Sequence, residues 1–187
     1  MSASTTPVSS GPAIEIDLAL VAAYHSGDER AARELIERHT GALARFLYSS
    51  GADRDEVDDL VQETLFRAFR RLSTWRGEAS FRSWLFSVGG NLLRDRFRSR
   101  KKRRLLSLED HDRPDPSDPH ADLAAAETED RIRNEVARLP RLQREVFLLR
   151  TMEGTEYEEI ARVLGTTPGA ARVHYHHAVK RLKELVL

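Results

Sequence analysis

The clearest helical pattern in the chain is that of residues 55–72, with the sequence DEVDDLVQETLFRAFRRL. Along it, the positions that can be buried recur every three or four residues without a break. They are Val57, Leu60, Val61, Thr64, Leu65, Ala68, Phe69 and Leu72. This spacing predicts an amphipathic helix with one face in a core and an acidic face toward solvent.

The same helical period extends from this stretch toward the N-terminus and beyond its C-terminal end. It predicts a short helix from Asp17 to His25, and a longer one to about Ser49 for which Asp28 is the cap. After a loop, Ser80 can cap a helix that continues into residues 94–104, where 8 of 11 residues are basic. The first part of the chain is therefore predicted to be entirely helical.

The helical pattern disappears between about residues 105 and 129, a stretch that is acidic and interrupted by prolines. It returns at about residue 130, with helices expected to begin at Pro140, to run from Tyr157 to Leu164, and to open at Thr167 and Pro168. The sequence thus predicts an all-α fold with two small helical domains. Their bounds are expected at 14–104 and 130–187, with a disordered tail at 1–13 and a flexible acidic linker at 105–129.

The charge of the chain is zero, with 30 basic and 30 acidic residues, but it is sharply segregated. Residues 1–66 carry a net −7, residues 67–104 carry +11, residues 105–130 carry −8 and residues 131–187 carry +4. Such blocks are better interpreted one by one than as a sum. The strongly basic block is compatible with nucleic acid in spite of the zero total.

Composition also excludes several classes of protein. The chain has no cysteine, which excludes disulfide scaffolds and thiolate zinc sites. Its apolar runs, such as Leu18–Ala23, are far shorter than a membrane span, so no membrane insertion is expected. Residues 99–102 match the S-x-x-K pattern of serine acyl enzymes, but they lie in an arginine run without partner motifs. We predict no catalytic residue, no cofactor and no enzymatic activity.

A short helix, a turn at Gly165 and a longer helix are typical of a helix-turn-helix motif. The inward face of the last helix is predicted from its apolar spacing, and its other residues are expected to point outward toward a major groove. The inward set is Ala171, Tyr175, Ala178, Leu182 and Leu185; the outward set is Gly169, Ala170, Arg172, Val173, His174, His176 and His177. An ordinary helical bundle with a solvated basic face is the alternative. Two histidines three residues apart make a poor metal site without a further ligand, so no metal is predicted.

The first domain places aromatic residues beside its basic segment, a combination that suits single-stranded DNA. Phe81 and Trp84 lie on an apolar stripe and are expected in the core. Trp75 lies in a loop, where both burial and exposure for stacking are open. Gly89 and Gly90 cost the helix about 2 kcal/mol relative to alanine. They either allow close approach of DNA or of a neighbouring helix, or they weaken the helix locally.

Four segments carry a resemblance to a known family. Residues 58–69 and 75–85 closely resemble region 2 of the extracytoplasmic-function (ECF) sigma factors of bacterial RNA polymerase. Residues 139–150 and 157–161 resemble region 4 of the same family. The segments occur in the family's order and flank a linker of the family's kind.

The resemblance implies a role for each domain and for named residues. Residues 14–104 would bind core polymerase and recognise and melt the minus-ten element, and residues 130–187 would recognise the minus-thirty-five element and contact the polymerase flap. The side chains expected to meet the clamp helices of the largest subunit are Asp58, Asp59, Gln62 and Glu63. Those expected at minus-ten DNA are Trp75, Arg76, Gly77, Glu78, Ala79, Ser80, Asn91, Arg94 and Arg98. Those expected at minus-thirty-five DNA are Thr167, Arg172, Val173, His174, His177 and Lys180.

The resemblance further implies a cytoplasmic bacterial sigma factor that initiates transcription of a stress- or signal-responsive regulon. It implies promoter DNA, core RNA polymerase and an anti-sigma factor as partners, and an anti-sigma factor could hold the chain at the membrane. One departure concerns His174 and His177, which stand where family members often have Arg or Lys, so phosphate contacts are expected to be weaker. A stand-alone helix-turn-helix regulator that never binds polymerase is the alternative function.

Overall fold

The computed structural model describes residues 12–106 and 123–186, and every regular element within these ranges is helical. Two 3-10 turns, Arg54–Glu56 and Leu72–Thr74, flank the third helix. The α-helices are α1 Pro12–His25, α2 Glu29–Ser49, α3 Val57–Arg70, α4 Phe81–Leu106, α5 Leu123–Arg138, α6 Arg141–Met152, α7 Tyr157–Leu164 and α8 Pro168–Val186. The predicted all-α fold is confirmed. Most of the expected tail (1–11) and of the expected linker (107–122) lies outside the described residues.

Element ends differ from the predictions in three places. Helix α1 begins at Pro12 and not at Asp17, so the last two residues of the expected tail are helical. Residues 54–74 form α3 between two 3-10 turns where a single helix was expected. Helix α5 begins at Leu123, inside the expected linker, and its first residues, a leucine and three alanines, have high helix propensity.

The first domain, α1–α4, is built around the apolar faces of α2, α3 and α4. Phe46 of α2 stacks on Phe86 of α4 with ring centroids 4.4 Å apart, and Leu60 of α3 is fully buried beside them. Each such side chain contributes about 1.5–3 kcal/mol by leaving water. The period that predicted α3 therefore places its buried stripe as expected.

Helix α1 is fastened to α2 by a buried acidic side chain. Asp17 is 2% exposed, and its two carboxylate oxygens contact Arg38 Nε and His39 Nε2, each at 3.1 Å. The apolar pattern of α1 does not indicate this contact, because Asp17 is expected from the sequence to be a polar residue at the N-terminus of the helix. The pair fixes the position of α1 beneath the loop that precedes α4.

Gly89 and Gly90 allow close packing of α4. A Cβ atom on Gly89 would lie 3.2 Å from Leu43 Cδ1 and 3.3 Å from Leu47 Cδ2, so alanine at this position would require these leucine side chains to shift by a few tenths of an ångström. A Cβ on Gly90 would lie 3.3 Å from Glu145 Oε1 of α6. Of the alternatives for this glycine pair, the structure supports close approach of neighbouring helices.

The second domain, α5–α8, contains the expected helix-turn-helix. Helix α7 ends at Gly165, whose φ of +65° lies in the left-handed region that glycine adopts without strain. The hydroxyl of Thr167 accepts a hydrogen bond from the Ala170 amide at 3.1 Å, which confirms the predicted cap of α8. Ala171, Ala178 and Leu182 face inward as predicted, Tyr175 is half-buried, and the side chain of Leu185 lies outside the described residues.

Candidate nucleic-acid and polymerase interface

The outer face of α3 combines acidic side chains with an exposed aromatic ring. Asp58, Asp59 and Gln62 are exposed, while Glu63 is half-buried and pairs with an arginine one turn on. Phe66 lies on the same face and is 59% exposed. Aromatic residues are enriched at protein interfaces, so an exposed ring beside acidic groups makes this face compatible with a protein partner.

The loop between α3 and α4 is organised around Trp75. The indole is 6% exposed, its Nε1 donates to the Ala79 carbonyl at 3.0 Å, and Phe81 meets the ring edge-on with centroids 5.2 Å apart. Trp75 is therefore buried, and the alternative of an exposed stacking platform is wrong for this structure. The ring shapes the loop from within and leaves Arg76 and Glu78 exposed at its surface.

Helix α1 supports this loop at Gly77. The residue has a φ of +73°, and a Cβ atom there would lie 3.0 Å from the Leu18 side chain of α1. Both constraints favour glycine. Beside the loop lies an open cavity of about 410 Å³, lined by Trp75, Arg76 and Glu78 and, from the second domain, by Arg162. A pocket of this kind, polar at its rim with an aromatic wall, suits a base taken out of the stack.

A polar stripe runs along α4 from its first turn. Ser80 caps the helix, since its hydroxyl accepts from the Ser83 amide at 3.2 Å. Asn91 and Arg98 are exposed and Arg94 is half-buried; their spacing of three and four residues puts them on one face. From Ser80 to Arg98 the helix rises about 27 Å. This length suits contact with several nucleotides of one strand.

The exposed face of α8 presents a mixture of cationic, apolar and imidazole groups. The Arg172 guanidinium lies over the Tyr157 ring, 4.9 Å from its centroid, and Val173 is 52% exposed. His177 and Lys180 are exposed, while Thr167 is exposed but uses its hydroxyl as the helix cap.

His174 departs from the outward orientation predicted for it. The residue is half-buried, and its Nδ1 is buried without a hydrogen-bond partner in the protein. Across the part of the chain that the structure describes, there is no cluster of three His, Cys, Asp or Glu residues able to hold a metal ion.

The sequence does not indicate the acidic residues of the second domain that lie against the first. Glu145 is 5% exposed although it carries a carboxylate. Burial raises the pKa of the Glu145 carboxyl. The nearby guanidinium groups of Arg141, Arg144 and Arg94 lower this pKa and so oppose part of the effect of burial. Burial in turn lowers the pKa of Arg144. A glutamate between arginines in a helix is ordinarily expected to form a solvent-exposed ion pair, so the sequence does not predict the burial of Glu145.

Comparison with known proteins gives these surfaces a context. Residues 35–103 match the family model for sigma-70 region 2, and residues 129–182 match that for sigma-70, region 4. The chain is 32% identical over 176 residues to the RNA polymerase sigma factor NccH of Alcaligenes xylosoxydans xylosoxydans, covering 91% of this chain and 95% of that protein. It is 38% identical over 141 residues to the ECF RNA polymerase sigma factor SigF of Caulobacter vibrioides, covering 72% of this chain and 73% of SigF.

The chain belongs to the ECF sigma factors of RNA polymerase. Such proteins are transcription initiation factors, and the presence of sigma-70 regions 2 and 4 implies core polymerase binding and promoter recognition. The predicted family and function are confirmed. The fold of this sigma factor is also similar to that of a solved sigma factor, CnrH in complex with the cytosolic domain of CnrY. The TM-score is 0.69 at 30% identity, over 91% of this chain and 97% of that one.

The candidate surfaces of this sigma factor divide between its two regions. Region 2 holds the outer face of α3, the Trp75 loop and the stripe of α4, and region 4 holds the exposed face of α8. Within the described ranges, no helix is both long enough and apolar enough to cross a bilayer.

Proposed function

We propose that residues 14–104 bind core polymerase and open the minus-ten element, and that residues 130–187 bind the minus-thirty-five element as duplex. One observation supports the proposal above all others. A single chain carries an exposed helix-turn-helix face on α8 and, in another domain, the Trp75 loop, which forms one wall of a pocket and leads into a helix stripe that contains Arg94 and Arg98. The α8 face suits recognition of base pairs in the major groove of duplex DNA, and the Trp75 loop with the α4 stripe suits recognition of unpaired bases on a single strand.

The partner of the α3 face is proposed to be the clamp helices of the polymerase largest subunit. Asp58, Asp59 and Gln62 extend into solvent from one side of the helix, and Glu63 stands beside them. Phe66 adds an apolar contact to this charged surface. Charged groups around a desolvated ring give both orientation and affinity to a protein interface.

At the minus-ten element, the pocket beside the Trp75 loop is proposed to receive a flipped base. Extruding a base costs a few kcal/mol of stacking, which contacts within a pocket offset. Arg76, Gly77 and Glu78 form the rim of the loop, while Trp75 and Ala79 hold its shape from the buried side. Along α4, the other proposed contacts continue from Ser80 through Asn91 and Arg94 to Arg98.

At the minus-thirty-five element, the N-terminal half of α8 is proposed to enter the major groove. Arg172 and Val173 are exposed, and His177 and Lys180 follow at helical spacing. Because Arg172 is stacked on Tyr157, its guanidinium is already ordered before DNA binds. Thr167 and His174 border this surface, and the region 4 domain is also proposed to contact the polymerase flap.

The remaining assignments follow from the family. We propose that the protein performs no chemical step of its own, works in the bacterial cytoplasm and controls a stress- or signal-responsive regulon. The CnrH structure contains the cytosolic domain of CnrY, and a second solved relative, sigma factor RpoE of Bartonella quintana, is in complex with the anti-sigma factor NepR. By analogy with these complexes, we propose that an anti-sigma factor binds this chain, and that it can hold the chain at the membrane.

Replacement of Asn91 tests the minus-ten assignment. Asn91→Ala removes an exposed side chain, and Asn134→Ala, on the exposed face of α5, is the matched control. On a promoter that the holoenzyme selects from random DNA, permanganate reactivity of unpaired thymines measures opening. We expect promoter opening to fall about tenfold for Asn91→Ala, because losing one good contact to a base costs about 1.4 kcal/mol and this energy corresponds to a factor of ten. Affinity for core polymerase should stay within about twofold, and an equal loss of both would contradict the assignment.

A further inference from the structure

Val173 lies at the centre of the exposed face of α8. It is the sixth residue of the helix and is 52% exposed, although its side chain is entirely apolar. At about 100° per residue, it lies about 140–160° around the helix from Ala171 and Ala178, which are both fully buried. The Val173 side chain therefore projects almost directly away from the core of region 4.

The residues that share this face leave Val173 accessible. They lie four residues before it and three, four and seven residues after it, a spacing that places them on the same side of the helix. All four are exposed: Gly169, His176, His177 and Lys180. A Cβ atom on Gly169 would meet no described residue beyond its own helix turn within 4 Å. A second surface can therefore approach Val173 closely from the N-terminal side of α8.

Arg172, the neighbour of Val173, is held to one side of this face. Its guanidinium lies 4.9 Å from the centroid of the Tyr157 ring of α7, and the Arg150 guanidinium lies 5.1 Å from the same centroid. Arg150 is fixed in turn, because its Nη1 donates to two backbone carbonyls of the turn before α7, each at 3.0 Å. Since successive residues lie about 100° apart around a helix, an arginine held toward α7 does not cover Val173.

Neither burial nor helix propensity favours valine at position 173. An exposed side chain buries little apolar surface, and a β-branched residue forms helix less readily than alanine. His174, the next residue along the chain, is half-buried and has its Nδ1 inside the protein. What Val173 offers is an apolar surface in the middle of a face that is otherwise formed by glycine, imidazole and ammonium groups.

An apolar side chain in this place can distinguish among the bases of a major groove. The N-terminal residues of a recognition helix contact base edges there. Guanine, adenine and cytosine present hydrogen-bonding groups to the groove, whereas thymine also presents a C5 methyl group. Valine neither donates nor accepts a hydrogen bond, so it would leave the groups of the other three bases without a partner. The methyl group of thymine is the feature that valine binds favourably.

We infer that Val173 is a specificity-determining residue of region 4 and contacts the C5 methyl group of one thymine in the minus-thirty-five element. The contact rests on the proposed entry of α8 into the major groove, and it adds to that proposal the identity of one base pair. Because adenine presents no methyl group, the contact also determines which strand of the pair carries the thymine.

Replacement of thymine by deoxyuridine tests the contact, since deoxyuridine lacks only the C5 methyl group. Holoenzyme, formed from core polymerase and the full chain, selects a promoter from random DNA. Each thymine of its upstream element is then replaced in turn, on either strand, and affinity is measured by competition in a gel-shift titration. We expect replacement at one position to weaken binding about three- to fourfold, which corresponds to about 0.8 kcal/mol for one buried methyl group.

The variant Val173→Ser identifies the residue that contacts the methyl group. Serine has a helix propensity similar to that of valine, and the position is exposed, so the melting temperature should not change. The ratio of the affinities for thymine and uracil DNA should fall from about three- to fourfold to about one. Ile132→Ser, which removes an exposed apolar side chain from α5, is the matched control and should keep the parent ratio.

The other outcomes separate this contact from the function on which it rests. A required upstream element in which no thymine shows the dependence would overturn the contact, and so would a ratio that persists in Val173→Ser. An equal loss of affinity on both DNAs for Val173→Ser would place the side chain against the DNA backbone or against polymerase, and would also overturn it. If binding by the holoenzyme does not depend on the upstream sequence at all, the proposed minus-thirty-five function fails and the contact fails with it.

Discussion

Replacement of Asp17 by asparagine should destabilise region 2 through the first helix. The Asp17 carboxylate is 2% exposed and contacts Arg38 Nε and His39 Nε2, both at 3.1 Å. Asparagine keeps the shape but removes the negative charge. His39 packs in turn against the Phe81 ring, 5.0 Å between centroids, so the change reaches the element that borders the Trp75 loop.

The expected loss of stability follows from these contacts. Breaking a buried ion pair from one side costs about 3–5 kcal/mol. Here the Arg38 side chain is 32% exposed, so solvent screens part of its interaction, and asparagine retains one hydrogen bond. A loss of about 2–3 kcal/mol remains. For a chain of this length that corresponds to a melting temperature lower by roughly 4–12 °C.

Thermal unfolding followed by circular dichroism measures this loss. Glu15→Gln, an exposed acid in the same helix, is the matched control and should change stability by less than about 0.5 kcal/mol. Because Leu18 of α1 supports Gly77, promoter opening by Asp17→Asn holoenzyme should fall at temperatures where the chain is still folded. If the Asp17→Asn variant has the same melting temperature as the Glu15→Gln control, the buried contacts of Asp17 do not hold α1 on α2.

Three further predictions concern the other surfaces. Glu145→Gln should raise the melting temperature more at pH 7 than at pH 4. Because burial raises the Glu145 pKa, the parent chain loses folding stability as the pH rises from about 4.3, the ordinary value, through the raised value in the folded state. The glutamine variant has no carboxyl group at this position and does not lose this stability. A gain that is independent of pH in the same melts would contradict this. Phe66→Ser should weaken core polymerase binding at least about fivefold with an unchanged melting temperature, as measured by fluorescence anisotropy; a drop in melting temperature would show a core role instead. Arg172→Ala should weaken duplex promoter binding by about 1–3 kcal/mol in a gel-shift titration, with Arg181→Ala as an exposed control on the same helix; equal effects would argue against groove contact by Arg172.

The helices themselves were predictable because each is specified by local signals. The unbroken stripe of α3 and the capping side chains of Asp28, Ser80 and Thr167 act over two to four residues, a distance that sequence spacing encodes directly. Gly165 is a further local signal, since its left-handed backbone conformation ends α7. Helix α5 begins earlier than expected, at a leucine followed by three alanines, which are residues of high helix propensity.

The state of the candidate site was less predictable because it depends on contacts between distant residues. Burial of Trp75 requires Phe81 and the Ala79 carbonyl to close around the ring. The spacing of the loop is compatible with both orientations, so the sequence left the choice open. The exposure of Phe66 did have a signal, since this aromatic residue falls outside the apolar stripe of its helix.

The docking of region 4 on region 2 had no sequence signal at all. Glu159 bonds a residue 79 positions away, and its neighbour Glu158, of the same type, stays exposed. Acidic residues on a short amphipathic helix ordinarily indicate a solvated face. Only the three-dimensional arrangement distinguishes the glutamate that docks from the one that does not.

Run-off transcription with core RNA polymerase tests the promoter-specificity function most directly. Core enzyme with and without the folded chain is given a library of bacterial genomic fragments, and the transcripts are sequenced at their 5′ ends. We predict a set of new start sites that share two upstream elements, present only when the chain is added and weakened by Asn91→Ala. Start sites identical to those of core enzyme alone, with a folded chain present in excess, would contradict the account.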